Sequence, residues 1–384
     1  MNSLQIATEY LESSLNGKYI HLETILPLLK SFESVFEISE IGKSVQQRSI
    51  YQVKIGTGKT KILIWSQMHG NESTTTKGLF DFFNFLASNS VESVRIKSQY
   101  TLLCVPILNP DGAFAYTREN ANFVDLNRDA FSSTQPEMKL LKALYEDFRP
   151  VYCYNLHDQR TIFGTNGLNL PATISFLAPA FNAERDYNEV RLKAISIINR
   201  MNDALSQYIP NQIGRFDDSY NVHCTGDYFT TQNTPTILFE AGHYPNDYKR
   251  EESRKYIFVA LLSSFFDNYE NVIVVNELRK YLRIPQNNKC FFDFIYKNVK
   301  IIDNCVEKII NFAAQYQEIL VDDEIHFEAI ISKISDLENY SGHVEYDCES
   351  LLFSSEGKNN PEIGAKATFT LNNLIKFNNG VKII

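Results

Sequence analysis

The sequence predicts an α/β fold, with helices on both faces of a sheet, followed by a small α+β appendage. Three observations carry that reading. Short apolar runs at 61–66, 151–156 and 236–239 read as buried strands. Between them lie stretches whose apolar residues recur at helical spacing, and such alternation marks a layered α/β domain. After about residue 285 the pattern shifts to short segments broken by Pro285-Gln286-Asn287-Asn288 and Gly357-Lys358-Asn359-Asn360-Pro361. We therefore expect one domain over 1–275 and a second, smaller one over 285–384.

In order along the chain, residues 1–60 read as a helix, a loop and then strands. Tyr51-Gln52-Val53-Lys54-Ile55 alternates, and Gly56-Thr57-Gly58 turns the chain into the run at 59–66. A helix over 73–88 follows from Leu79, Phe82, Phe83 and Leu86, which fall at i, i+3, i+4 and i+7. The strand at 101–108 ends in Asn109-Pro110-Asp111-Gly112, a strong turn signature. Residues 116–129 show neither period and read as a polar loop. A helix over 184–207 places Val190, Ala194, Ile197, Ile198, Met201 and Leu205 on one face. Another spans 250–266 and is apolar enough to pack on the sheet. In the tail, 303–316 reads as a helix carrying Cys305, Ile309, Ile310 and Phe312, while 324–330 and 367–371 alternate like strands.

The chemistry gathers at strand ends. His69-Gly70-Asn71-Glu72 follows the first buried run and precedes a helix. His157 ends the second run and Glu240 the third. The C-terminal ends of strands are where open α/β sheets bind ligands. A carboxylate closing an apolar strand is costly to bury unless it is paired or metal-associated. Taken singly, each of these residues is a capping or salt-bridged group at a sheet edge. Three such strand ends in one chain can supply what a catalytic zinc requires, namely three protein ligands, here His69, Glu72 and His157, and an open position.

The order of the motifs adds specificity. HGNE, NPDG, Arg118-Glu119-Asn120, Asp125-Leu126-Asn127-Arg128, Leu156-His157 and Phe239-Glu240-Ala241-Gly242 together resemble the zinc carboxypeptidase family of the carboxypeptidase A type. The motifs span 61–243 and the resemblance covers about 1–270. It implies a mixed, twisted, roughly eight-stranded sheet. It also implies one zinc per chain, held by His69, Glu72 and His157. By the same resemblance Asp125 orients His69, Arg118 polarises the scissile carbonyl, Asn127 and Arg128 grip the substrate's terminal carboxylate, and Glu240 is the general base. The residue types suit these roles. Zinc lowers the pKa of bound water to about 7, a carboxylate can take that proton and pass it to the leaving amine, and arginine pairs bidentately with carboxylates.

The chain also departs from the family. Residues 73–156, 84 in all, separate Glu72 from His157. That interval is shorter than in the secreted digestive enzymes and resembles compact bacterial members and the related acyl-amino-acid deacylases. Tyr220 is the candidate for the family's mobile tyrosine that closes over substrate. Asp217, Asp218 and Asp227 precede the last catalytic strand, and an acidic group there would favour a leaving residue with an amino group, such as lysine or diaminopimelate. His243, just past Glu240, is a further candidate to line the cleft.

Composition narrows the classes. A net charge of −9, without a basic run, argues against a nucleic-acid partner. No stretch is long and apolar enough to span a membrane, and residues 1–19 lack a signal-peptide pattern. The six cysteines form no CxxC pair and read as reduced thiols, which fits a cytoplasmic location. The reading is a zinc metallocarboxypeptidase acting on a short peptide with a free carboxylate. Variants of it are an amidase of the γ-D-glutamyl-diaminopimelate link in murein peptides and a deacylase of acylated amino acids. The rival from another class is a non-catalytic peptide-binding protein, which would lack a ligand or Glu240.

Overall fold

The structure is a computed structural model, in which residues 2–165, 167, 169–265 and 274–383 are described. The chain runs α1 (Ser3–Glu9), α2 (Leu22–Phe32), β1 (Glu37–Lys43), β2 (Ser49–Ile55), β3 (Thr60–Ser66), α3 (Thr74–Ala87), α4 (Val91–Gln99), β4 (Tyr100–Val105), α5 (Pro110–Ala115), α6 (Pro136–Phe148) and β5 (Tyr152–Asp158). It continues with β6 (Phe163–Thr165), β7 (Leu170–Pro171), β8 (Ile174–Leu177), α7 (Glu189–Leu205), β9 (Ile213–Arg215), α8 (Thr225–Thr231), β10 (Thr236–Ala241), α9 (Glu251–Ser263) and α10 (Val274–Tyr281). Phe266, the expected end of the helix at 250–266, lies outside the described residues. From there the described elements are strands: β11 (Asn287–Lys289), β12 (Phe291–Asp303), β13 (Val306–Val321), β14 (Glu324–Ile334), β15 (Ser341–Asp347), β16 (Phe353–Ser354), β17 (Phe369–Leu371), β18 (Ile375–Asn378) and β19 (Val381–Lys382). Among the described residues no helix is long and apolar enough to cross a membrane.

The chain divides into two compact units, 1–159 with 172–287 and 160–171 with 288–384. The first contains the mixed eight-stranded sheet, in the order β1-β2-β4-β3-β5-β10-β8-β9. At its centre β4, β3, β5 and β10 are parallel, while β2 runs antiparallel to β4 and β8 antiparallel to β10. Side chains alternate across the sheet. Ile62, Ile64, Tyr154, Leu156, Ile237 and Phe239 face a core closed by α3, α7 and α9. Leu63, Trp65 and Cys153 face the other way, toward Met138 and Leu141 of α6 and Phe229 of α8. Helices thus cover both faces, and the parallel strands deliver their C-terminal ends to one rim.

Two motifs meet at that rim. The chain leaves β3 through Gln67, whose φ is 48°. A non-glycine residue in this left-handed region is strained and needs support. The Gln67 amide supplies it, donating to the carbonyls of Ile20 at 2.6 Å and Gly70 at 2.8 Å and accepting from the Thr76 hydroxyl at 3.0 Å. Gly70 then lies against Gly112. A Cβ on Gly70 would stand 1.9 Å from the Gly112 carbonyl carbon, so the two motifs dock backbone to backbone. Asn109 seals the junction, donating to the Met68 carbonyl at 3.2 Å and accepting from the Gly112 amide at 2.9 Å.

The second unit corrects one expectation. Residues 303–316 are not a helix: 306–321 form strand β13, and the described residues of this unit contain no helix. The appendage is therefore β rather than α+β. Asp303 pairs with Val306, so Asn304 and Cys305 form a two-residue hairpin turn with φ of 49° and 63°. Both positive angles match the turn type that joins twisted antiparallel strands. Asp322 and Asp323, at 49° and 62°, repeat the device between β13 and β14. Pairing on both edges of β13 overrides the weak helical spacing of its β-branched residues. The strands form sheets β14-β13-β12-β15 and β16-β17-β18-β19, around Phe294, Tyr296, Phe312, Phe369 and Phe377.

The glycine contact gives a test. Gly70→Ala should destabilise the protein by about 1–3 kcal/mol, because the methyl group meets backbone that cannot swing aside. Urea unfolding followed by circular dichroism measures it, and an unchanged midpoint would contradict the docked geometry.

Candidate metal centre and active site

His69, Glu72 and His157 are the group, among the described residues, whose ligand atoms converge within 4.8 Å. The Glu72 carboxylate lies between the imidazoles, 2.9 Å from His69 Nδ1 and 2.8 Å from His157 Nδ1. The two Nδ1 atoms are themselves 3.0 Å apart. His69 Nε2 meets Asp125 Oδ1 at 3.0 Å. If that nitrogen donates to the carboxylate, the neutral ring leaves a lone pair on Nδ1. A lone pair is then set against a carboxylate and a second imidazole, an arrangement that requires a shared proton or a cation. The residues present therefore fit a metal ion, and their N, O, N donor set suits zinc.

Arg118 and the Asp125 turn complete the surround. Arg118 donates to Glu72 Oε1 at 3.1 Å and to Asp125 Oδ2 at 3.1 Å. Its loop is tied to the glutamate's motif, since the Asn71 amide donates to the Thr117 carbonyl at 3.1 Å. Asp125 caps the short 3-10 turn at Leu126–Arg128, accepting from the Asn127 amide at 2.8 Å. Asn127 in turn accepts from the Thr225 amide at 2.9 Å, which links the turn to the start of α8. Arg128, exposed, donates to the Asn127 carbonyl at 2.8 Å and to Cys224 Sγ at 3.2 Å. Glu240 stands in register beside His157 on the neighbouring parallel strand, buried, and its Oε2 has no hydrogen-bond partner among the described residues.

The electrostatics divide these groups. Burial alone would raise the Glu72 carboxyl, but His69 and His157 hold it well below its ordinary range. Burial would likewise lower His69, yet Glu72 and Asp125 leave it raised. In His157 burial prevails and the imidazole is pushed down. Asp125, despite partial burial, is held low by His69, Arg118 and Arg128. Glu240 goes strongly the other way: burial and then the charges of Glu72 and Asp158 disfavour its anion. A carboxyl with a raised pKa beside a cation-binding cluster can both take and return a proton.

The structure adds two supports that the motifs do not carry. Buried Arg250 donates to the carbonyls of Ala241 at 3.1 Å and Gln159 at 2.9 Å, joining the ends of β10 and β5. Asp158 accepts from the amides of Thr74 at 2.9 Å and Thr75 at 3.2 Å, which fixes the start of α3 beside Glu72. An arginine just past a strand-end glutamate is a weak signal by itself. Tyr220 is half-buried in the segment between β9 and α8, and among the described residues it makes no hydrogen bond to the metal-binding group. His243 is buried with its ring 4.8 Å from Tyr248. Of the three acids in the loop, Asp218 is engaged by Arg191 and Arg185, and Asp217 holds Ser219 at an exposed turn. Asp227 is buried at the start of α8, where desolvation pushes its carboxyl up to about 7.

Comparisons with known proteins agree with the motifs. Residues 23–161 match the family described as zinc carboxypeptidase. Carboxypeptidase 2 of Trichophyton rubrum is 28% identical over 100 residues, which is 26% of this chain and 19% of that protein. The match thus spans about a fifth of the length of such curated relatives. Among solved structures, a metallo-carboxypeptidase from Burkholderia cenocepacia aligns with a TM-score of 0.51 at 17% identity, covering 63% of this chain and 67% of that one. A metallo-carboxypeptidase from Pseudomonas aeruginosa, in complex with (2-guanidinoethylmercapto)succinic acid, gives 0.51 at 18% identity, covering 67% and 69%. These likenesses establish the fold, and with the family match they bear out the resemblance read from the motifs.

Asp227 yields a pH test. Its folded pKa is raised above the ordinary aspartate value of about 3.9, so its contribution favours the native state most at low pH. That contribution is lost as pH rises toward 7. Asp227→Asn should therefore gain stability relative to wild type across this window, by roughly 1–4 kcal/mol. Paired urea titrations at pH 4.5 and 7.5, values about the two ends of that window, measure the difference. A constant difference would contradict the burial of this carboxyl.

Proposed function

We propose that this chain, which carries a zinc carboxypeptidase-type domain, hydrolyses the C-terminal amide bond of short peptides. The observation that carries the reading is the convergence of His69, Glu72 and His157 beside a buried Glu240 whose anion is disfavoured. Zinc held by these three residues would supply Lewis acidity, lowering the pKa of a water to about 7 and polarising the scissile carbonyl. Asp125 fixes the tautomer of His69 through its bond to Nε2. Glu240 takes a proton from the attacking water and returns it to the departing amine. Arg118, permanently charged and half-exposed, turns from Glu72 and Asp125 to the oxygen on which negative charge grows. Asn127 and Arg128 hold the substrate's free carboxylate, the geometry for which guanidinium is suited. Tyr220 serves as the candidate residue that closes over the bound peptide.

The absence of a disulfide among the six cysteines supports a cytoplasmic location. Nucleic acid and membrane are not expected partners.

Two measurements test the reading. A single zinc should be found per chain by elemental analysis, and His157→Ala should lose it; retention of full zinc by that variant would remove His157 from the ligand set. Glu240→Gln should keep fold and zinc while turnover drops by ~100–10,000-fold. Turnover within a few-fold of wild type would exclude Glu240 as the base. The substrate panel should set C-terminal dipeptides beside γ-D-glutamyl-diaminopimelate peptides and N-acyl amino acids. The highest kcat/KM is expected on the dipeptides, and a clear preference for either of the others would move the assignment to amidase or deacylase.

A further inference from the structure

Asn155 is 1% exposed, and neither its amide nitrogen nor its amide oxygen has a hydrogen-bond partner among the described residues. It lies on β5 two residues before His157. Strand alternation therefore puts it on the same sheet face as that residue and Cys153, the face covered by α8. Its neighbours across the strands are Trp65 of β3 and Leu238 of β10. Trp65 Nε1 is also buried and, among the described residues, without a partner, and so is Glu240 Oε2, on the next strand and the same face. Leu238 is buried but lies outside both apolar clusters of this unit.

An unmade pair of amide hydrogen bonds is expensive in a protein interior. Three adjacent strands carry such groups on one face, Trp65 and Asn155 in register and Glu240 two residues further along its strand, beside the proposed reacting centre. The helix over this face, whose Phe229 ring lies 5.6 Å from that of Trp65, is joined at its start to Asn127 through the Thr225 amide, with Arg128 beside its N-cap Cys224. On the carboxypeptidase reading, a residue whose terminal carboxylate is held by Asn127 and Arg128 would sit at the start of α8, the helix that covers this face of the sheet.

We infer that Asn155 is a specificity-determining residue that recognises an uncharged, hydrogen-bonding side chain on the leaving residue, asparagine being the best match. The inference rests on the carboxypeptidase reading above. A carboxamide offers both an acceptor for the Asn155 and Trp65 N–H groups and a donor for the Asn155 oxygen. Leucine has nearly the same shape and offers neither, and a site built for hydrogen bonding discriminates strongly against such an isostere.

The test uses the full zinc-loaded chain with hippuryl dipeptides ending in Asn, Leu, Ala and Lys, together with calorimetric binding of N-acetyl-asparagine and N-acetyl-leucine. Wild type should favour Asn over Leu by ~10–100-fold in kcat/KM, and by a similar ratio in binding. Asn155→Leu should reverse both rankings while leaving zinc content unchanged and the Ala-ending peptide within a few-fold. Asn155→Ser, which is smaller and keeps a hydroxyl, should retain a reduced preference for Asn and guards against misfolding of the leucine variant. An equal or higher wild-type preference for Leu would overturn the inference, as would rankings untouched in both variants. A Lys preference removed by Asp227→Asn would overturn it too. If the binding ranking appears without any turnover, the peptidase reading fails and the role of Asn155 stands. If neither ligand binds, the inference fails by itself.

Discussion

Burying a carboxylate in a protein interior is unfavourable by several kcal/mol unless donors or positive charge surround it. Glu72 is buried, and its two oxygens meet two imidazoles, a guanidinium and the Asp158 amide at 2.8–3.1 Å. Much of the nearby architecture supplies these partners. The parallel register of β3, β5 and β10 brings His157 and Glu240 abreast, and the docked glycines bring Arg118 toward Glu72. Removing one partner would leave charge uncompensated, so the cluster is constrained as a unit.

The same crowding separates the two acids of the centre. Glu72 and Glu240 are both glutamates at strand ends and both are buried. Cationic or potentially cationic partners hold the first as an anion. Among the described residues the second has no such partner within bonding distance, and it feels the first as a like charge. Position alone thus gives two like side chains opposite tendencies, one held as the anion and the other with its anion disfavoured.

Much of this was legible in the sequence because strand ends announce themselves. An apolar run closed by His or Glu is a local pattern, and the motif order tied distant runs together. The cleft's supports were not legible in this way. Gln67 matters through a backbone angle, and Arg250 through two carbonyls far apart in sequence. Asn155 hides inside an apolar run, where one amide looks like an interruption. The acids at 217 and 218 read as free carboxylates because the partners of Asp218, Arg185 and Arg191, lie about 30 residues upstream, beyond the reach of local pattern. The strand at 306–321 looked helical because its hairpin turns, Asn304-Cys305 and Asp322-Asp323, lack the glycine that usually advertises them.

The division of the chain bears on how the protein can be cut or permuted. The backbone passes between the two units three times, after residues 159, 171 and 287. The β-rich unit is consequently not a detachable tail. Ending the chain at residue 287 would leave 160–171 behind without the 288–384 portion of its own unit, beginning three residues beyond His157. An insertion of this kind couples the biogenesis of the two units: the loop leaving β5 completes its own surroundings only after the last hundred residues have been synthesised. Deletion of the tail would therefore act on the chain that leaves β5 just after His157, through the connecting segment itself.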